Sequence, residues 1–455
     1  MLTLPDWPPW ALNTFIGCVC ITLIAAIIQY LLDSRNASAS KSDSNGQLQI
    51  VGDDVPRFRA FQRQYLLVYT IIMTADWFQG TNMYTLYSSY GVNISALFIT
   101  GFLTGAVMAG PVGIMIDKFG RKRMCIVYLV LEIIINIMEH VNDFWILWLS
   151  RILGGITTNI LFTGFEAWMN AEHRKRGFPQ EWVADTFSKV AVIFGLSAIF
   201  AGVLAQFAAD AMGEIGPFKC AIGLTALALV FVLGWEENYG GGDEEKDDKG
   251  ESMEARAWTL IKTDRKVFLM GSVMALFEGS MYSFVFMWVP TMIAALGHFP
   301  PTGLVFASLM CCISLGGILS SPSMLSSLAA AEYVGVGCFL VGAAALLVPV
   351  FFSSLIPILG AFLVFEVCVG VWNFCGGVLR ARVIPDELTG SVTNMFRVPL
   401  NSLVVIGTLL TDYMAARYVF GIITCWMLLA AGAQVYVIQE LAKAKQTVGN
   451  GKKDK

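Results

Sequence analysis

Thirteen stretches of predominantly apolar residues, each near the roughly 20-residue length that carries a helix across a bilayer core, decide what this chain can fold into. They fall near 11–32, 64–87, 95–116, 124–140, 143–168, 183–209, 217–235, 267–290, 302–322, 333–352, 355–379, 388–411 and 418–439. Backbone polar groups find no water in the hydrocarbon region, so runs of this length read as helices that bond internally. Composition supports the same reading: 56% of the 455 residues are hydrophobic and 14% are charged. A soluble chain would carry roughly a quarter charged residues. The formal net charge of −4 also excludes the strong basic field of a nucleic-acid binder. The expectation is an all-α, multi-pass membrane protein whose surroundings are the lipid bilayer.

Ten cysteines lie within the apolar runs, without a Cys-x-x-Cys pair or a histidine at ligand spacing. They read as small hydrophobes, not as a disulfide framework or a metal site. No nucleophile–base constellation and no nucleotide-binding glycine loop stand in a suitable context. Neither an enzyme nor a cofactor is implied.

The spans group as one, then six, then six. The leading span is preceded by Asp6 and by no Lys or Arg, so it lacks the basic start of a signal peptide and reads as an anchor. The polar stretch from Asp33 to Pro56 and the run from Glu236 to Ser252, which includes GGGDEEKDDKG, read as linkers. The resulting division is an anchor and linker at 1–62, a six-helix bundle at 63–235, a linker at 236–266, a second six-helix bundle at 267–440 and a basic tail at 441–455. Basic residues cluster at alternate ends of the core spans, as in Lys118–Arg123, Arg174–Arg176, Lys262–Lys266 and Arg380–Arg382. The positive-inside rule then places both ends of the twelve-span core in the cytosol and the extreme N-terminus on the opposite side.

After the second core span the chain reads Gly113-Ile-Met-Ile-Asp117-Lys118-Phe-Gly120-Arg121-Lys122. This G-x-x-x-D-x-x-G-R-K string resembles the signature loop of the major facilitator superfamily. Its glycines suit a tight turn between packed helices. Asp117 suits a helix N-terminus across the bundle interface, and the basic residues hold the loop at the membrane surface. Gly113, Asp117, Gly120, Arg121 and Lys122 are therefore expected to act as a conformational latch. The matching loop of the second half, SSPSMLSSL, lacks the motif. The halves otherwise resemble each other at offsets of roughly 200 residues, as expected of a duplicated transporter. Phe78-Gln79-Gly80 aligns with Phe277-Glu278-Gly279, Pro179-Gln180-Glu181 with Pro385-Asp386-Glu387, and Lys189 with Arg397.

The strings FQRQY, TADWFQG, SRILGG, FEAWMNAEH, FPQEW, ALFEG, FVFMWVP and NMFRVPLNSL, spread from Phe61 to Leu403, are similar to the molybdate-anion transporter family of that superfamily. The resemblance implies a major facilitator fold of two six-helix bundles with an added N-terminal helix. It implies alternating access, a tetrahedral oxyanion as substrate, a plasma-membrane location and a chain that functions as a monomer. Other solutes, such as an organic anion, a sugar or a drug, stay open, as does a membrane scaffold or sensor, because fold does not fix function.

Ionisable side chains inside spans are costly unless paired or facing a cavity, and each is a site candidate. Lys189 and Arg397 are the candidate substrate-binding residues, since a dianionic oxyanion needs cations and a guanidinium suits its geometry. Asp76, Glu278, Arg151, Glu132 and Glu366 form the candidate coupling or charge network. Asp76 and Glu278 could carry a coupling proton; they could equally neutralise the two cations and lock the bundles. Pro399, two residues beyond Arg397, reads as a hinge or a static bend.

Overall fold

The computed structural model describes residues 7–40, 54–239, 253–321, 324, 328–385 and 388–451. Among the described residues the secondary structure is helical, without strands. The helices are α1 (Pro9–Ser40), α2 (Asp54–Tyr90), α3 (Ile94–Phe119), α4 (Arg121–Met138), α5 (Phe144–Lys175), α6 (Glu181–Met212) and α7 (Gly216–Leu233). They continue with α8 (Met253–Thr263), α9 (Arg265–Leu296), α10 (Thr302–Leu319), α11 (Leu328–Phe351), α12 (Leu355–Val383), α13 (Thr389–Tyr413) and α14 (Ala416–Gly451). Every apolar run named above lies largely on one long helix. Ten of these helices qualify as membrane spans on length and apolarity alone. Of the others, α2 is diluted by Asp76 and Gln79, α4 opens on Arg121, Lys122 and Arg123 and carries Glu132, and the apolar stretch of α13, Met395–Thr411, is shorter.

Two local differences from the sequence reading have plain causes. The residues from Asp33 to Ser40, read as linker, continue α1. The stretch before α9 contains the short helix α8, whose Ala257 and Ile261, one turn apart, are both buried. The rest of the two linkers (41–53 and 240–252), most of the SSPSMLSSL loop, Asp386, Glu387 and the last four residues lie outside the described residues.

The chain divides into two compact units. One comprises Met1–Ile16, Ser42–Glu244 and Pro301–Met310; the other comprises Gly17–Lys41, Glu245–Pro300 and Cys311–Lys455. Within the first, α2 packs on α6 and α7, and α4 packs on α5 and α7. Within the second, α9 packs on α13 and α14, and α11 packs on α12 and α14. These pairs correspond one to one in chain order, which is the duplication seen in the sequence expressed as packing.

In lipid, helix association depends on close packing because the tails are as apolar as the side chains. The α3–α5 pair shows how this is reached: a Cβ on Gly155 would stand 2.6 Å from the Gly101 carbonyl oxygen, so only glycine allows the approach. Large rings fill the remaining space. In the first unit Trp168, 1% exposed, stacks on Trp235 with ring centres 3.7 Å apart. In the second, Phe284 packs against Phe362 and Phe365.

Candidate functional site

The first unit concentrates its polar residues on one face of α4. Glu132, Asn136 and Glu139 recur at four and then three residues, the spacing that aligns side chains along a helix. Glu132, 6% exposed, accepts hydrogen bonds from Gln79 Nε2 on α2 (2.9 Å) and Thr157 Oγ1 on α5 (2.5 Å). Glu139, fully buried, accepts from Arg151 Nη2 (2.5 Å), Ser150 Oγ (2.7 Å) and Tyr87 OH (3.1 Å) through one oxygen. Arg151 also stands over the Tyr87 ring at 5.8 Å and donates to Met83 sulfur at 3.0 Å. Arg151 is thus neutralised by Glu139, an acid the sequence reading did not single out. Its signal was present, since Glu139 lies two turns from Glu132 on the same face.

Asp76 sits one turn before Gln79 on α2 and makes no hydrogen bond or ion pair with the described residues. Glu132 is the charged group near enough to act on it. Farther along α2, Asn82 Nδ2 (3.0 Å) and Thr85 Oγ1 (2.5 Å) donate to Glu214, another acid the sequence reading did not single out.

Lys189 is held at the other end of the unit. Its Nζ donates to Gln62 Oε1 (2.6 Å) and Asp185 Oδ2 (2.8 Å), and Gln62 Nε2 donates to the same carboxylate (2.8 Å). The carboxylate paired with Lys189 is therefore Asp185, one turn back on α6, and not Asp76 or Glu278. The Lys189 side chain keeps 47% exposure, so the pair leaves the ammonium accessible.

The signature turn departs from expectation in its details. Asp117 accepts from Arg121 Nη2 at 2.9 Å, within its own turn. The amides at the start of α4 are taken by Glu237, whose oxygens accept from Lys122 N (2.9 Å) and Arg123 N (3.1 Å). A carboxylate there meets both the free donors and the positive end of the helix dipole. Gly120 carries a φ of +103°, and a Cβ on it would lie 2.8 Å from the Glu237 carboxyl, so the turn needs glycine twice over. Gly113 stands inside α3 with open space where a Cβ would be. Next to Glu237, Lys175 Nζ donates to Glu236 at 2.6 Å and holds that carboxyl below the usual range. Lys122 Nζ reaches the Leu233 carbonyl at 2.9 Å. The segment after α7 is thereby strapped over the turn.

The second unit presents its charges differently. Glu278 on α9 and Arg397 on α13 make no hydrogen bond or ion pair with the described residues; Arg380 and Arg397 are the cations near enough to act on Glu278. The Arg397 side chain is exposed. Glu366 on α12 is 3% exposed, and its Oε2 has no partner among the described residues. The first unit pairs Arg151, Glu132 and Lys189 with neighbours and leaves Asp76 open; the second leaves Glu278 and Arg397 open, among the described residues.

Two units with matching internal packing, built from long apolar helices around intramembrane charges, define a multi-pass membrane transporter of the major facilitator fold. A solved structure of the nucleoside transporter NupG shares that fold, with a TM-score of 0.64 at 13% identity, covering 83% of this chain and 99% of that one. A family model described as sugar transporters with 12 TM matches residues 38–374. Over 418 residues the chain is 32% identical to the molybdate-anion transporter of Xenopus tropicalis, covering 86% of this chain and 88% of the relative. Over 400 residues it is 33% identical to the molybdate-anion transporter of Danio rerio, covering 78% and 80%. The chain belongs to the molybdate-anion transporter family of the major facilitator superfamily. It is a secondary transporter and not an enzyme.

Proposed function

We propose that the protein carries molybdate or a related tetrahedral oxyanion across the membrane by alternating access. The observation that carries this reading is Arg397, an exposed guanidinium without a carboxylate partner among the described residues, in a chain whose curated relatives of near-equal length are named for molybdate. A guanidinium offers a planar fork of donors to an oxyanion, and binding energy there is not first taken up by an internal salt bridge. Lys189 supplies the second cation, and substrate binding competes with Asp185 for it. Asp76 and Glu278 serve as proton carriers, because a carboxylate without a fixed cation is easier to protonate. Residues 63–235 and 267–440 act as the two moving bundles, the basic loops face the cytosol, the extreme N-terminus lies on the opposite side, and a monomer in the plasma membrane is the working unit.

The test is molybdate accumulation, by elemental analysis, in uptake-deficient cells expressing wild type, Arg397→Gln or Lys189→Gln at matched surface levels. The expected result is uptake by wild type, abolished in Arg397→Gln and reduced in Lys189→Gln. Unchanged uptake in both variants would remove the site assignment and keep the carrier. The family model's description favours a second reading, a sugar as substrate. Competition separates the two: tungstate and sulfate should reduce molybdate uptake and hexoses should leave it unchanged, and the reverse pattern would move the protein to sugars.

A further inference from the structure

The second unit holds a cavity of about 840 Å³ walled by α8, α9 and α13, whose α13 wall is made of the residues on either side of Arg397. Lys262 and Arg265 line it together with Trp258, Phe268 and Val398. Lys262 Nζ lies 4.7 Å from the centre of the Trp258 ring, and the Arg265 guanidinium lies 4.6 Å from that of Tyr436. Neither cation has a carboxylate within ion-pair distance among the described residues. The acids nearby are already engaged: Asp264 caps α9 through Lys266 N (2.9 Å) and pairs with Lys266 Nζ (3.5 Å), and Glu440 accepts from Lys443 at 2.8 Å. Two of its apolar residues stay open, with Phe268 52% and Val398 69% exposed. In a multi-pass protein, apolar side chains this exposed on a spanning helix meet acyl chains.

Two cations without an ion-paired carboxylate, lining the same cavity as exposed apolar side chains, fit one kind of occupant. A small soluble anion would satisfy the cations and leave the wall uncovered. An uncharged lipid would cover the apolar residues and leave Lys262 without a counter-charge and Arg265 with only Glu440, which Lys443 already holds. We propose that this cavity is a binding site for an anionic phospholipid, with the phosphate on Lys262 and Arg265 and an acyl chain along Phe268 and Val398. Basic pockets between helices at the membrane surface are suited to such headgroups. The bound lipid bridges α8 to α13, the helix that carries Arg397, and its presence does not depend on which solute is transported.

The test uses the full-length protein, purified and titrated with phosphatidylserine or phosphatidylcholine, with bound lipid counted by native mass spectrometry. Two surface cations together predict an apparent affinity about thirtyfold higher for phosphatidylserine. The double variant Lys262→Gln, Arg265→Gln should bind both lipids equally, while Lys262→Arg, Arg265→Lys should keep the preference. The charge-preserving variant controls for folding, since both pairs replace the same positions. Equal binding of the two lipids by wild type, or a preference that survives in the glutamine variant, would overturn the proposal. So would displacement of phosphatidylserine by inorganic phosphate alone, because the site would then be one for a free anion.

Discussion

The two units share a packing plan and differ in how they treat charge inside the membrane. In the first, Arg151 is closed by Glu139, Glu132 is closed by Gln79 and Thr157, and Lys189 is closed by Asp185 and Gln62. In the second, Glu278 and Arg397 stand without hydrogen-bonded partners among the described residues, as Asp76 does in the first; buried unmatched carboxylate oxygens occur in both, on Glu139 and on Glu366. Of the groups of the first kind, the buried Arg151 and Glu132 hold a bundle together and cannot respond cheaply to a ligand, whereas the half-exposed Lys189–Asp185 pair can open to one. Groups of the second kind contribute little to holding their bundle and are available to a ligand or a proton. The same helices in the same order thus carry more paired charge in the first unit than in the second, among the described residues.

That contrast can be broken most directly at Glu139. Glu139→Gln leaves the Arg151 guanidinium buried and uncompensated, and should cost about 3–5 kcal/mol in thermal unfolding of the purified protein. Glu278→Gln removes no formed contact and should leave the unfolding midpoint nearly unchanged. If the two variants lose equal stability, the difference between the units does not exist.

Gly120→Ala tests the strapped turn. The φ of +103° and the clash with Glu237 should together cost about 1–3 kcal/mol, read as a lowered unfolding midpoint. Thr157→Val sharpens the account of Glu132 by removing the hydroxyl and leaving one carboxylate oxygen without its donor. An unsatisfied buried acceptor costs about 1–3 kcal/mol, toward the lower end here because Gln79 remains. The smallest effect belongs to Asp185→Asn. The Lys189–Asp185 pair is about half exposed on both sides, so its loss should change stability by about 1 kcal/mol or less. The same variant frees Lys189, and its effect on anion uptake should exceed its effect on stability.

Much of this architecture could be read before any coordinates, and the reasons are specific. Helix number and position follow from apolar length, because lipid permits few alternatives. The internal duplication showed in Phe78-Gln79-Gly80 against Phe277-Glu278-Gly279, and it returns as matching helix pairs. Partnerships were harder to read. Asp117 carried the motif, yet the helix cap comes from Glu237, which lies beyond four further helices in the chain. A contact across that separation leaves no local pattern. Glu139 left one, the Glu132–Asn136–Glu139 stripe, which was obscured because its last member falls where the span ends. Helix α8 lay within what read as linker, since a helix this short has no spanning signal and shows only in the one-turn spacing of Ala257 and Ile261.

The Gly120–Glu237 contact also ties two distant positions into one design choice. With glutamate at 237, no side chain larger than hydrogen fits at 120; with glycine at 120, a carboxylate can press against the backbone and cap α4. Shortening residue 237 relieves the clash while discarding the cap, so the two changes do not add. The penalty of Gly120→Ala should shrink in a Glu237→Ala background, down to the part that comes from the positive φ alone. Tolerance at either site is then a property of the pair, and anyone re-engineering this turn has to vary both together.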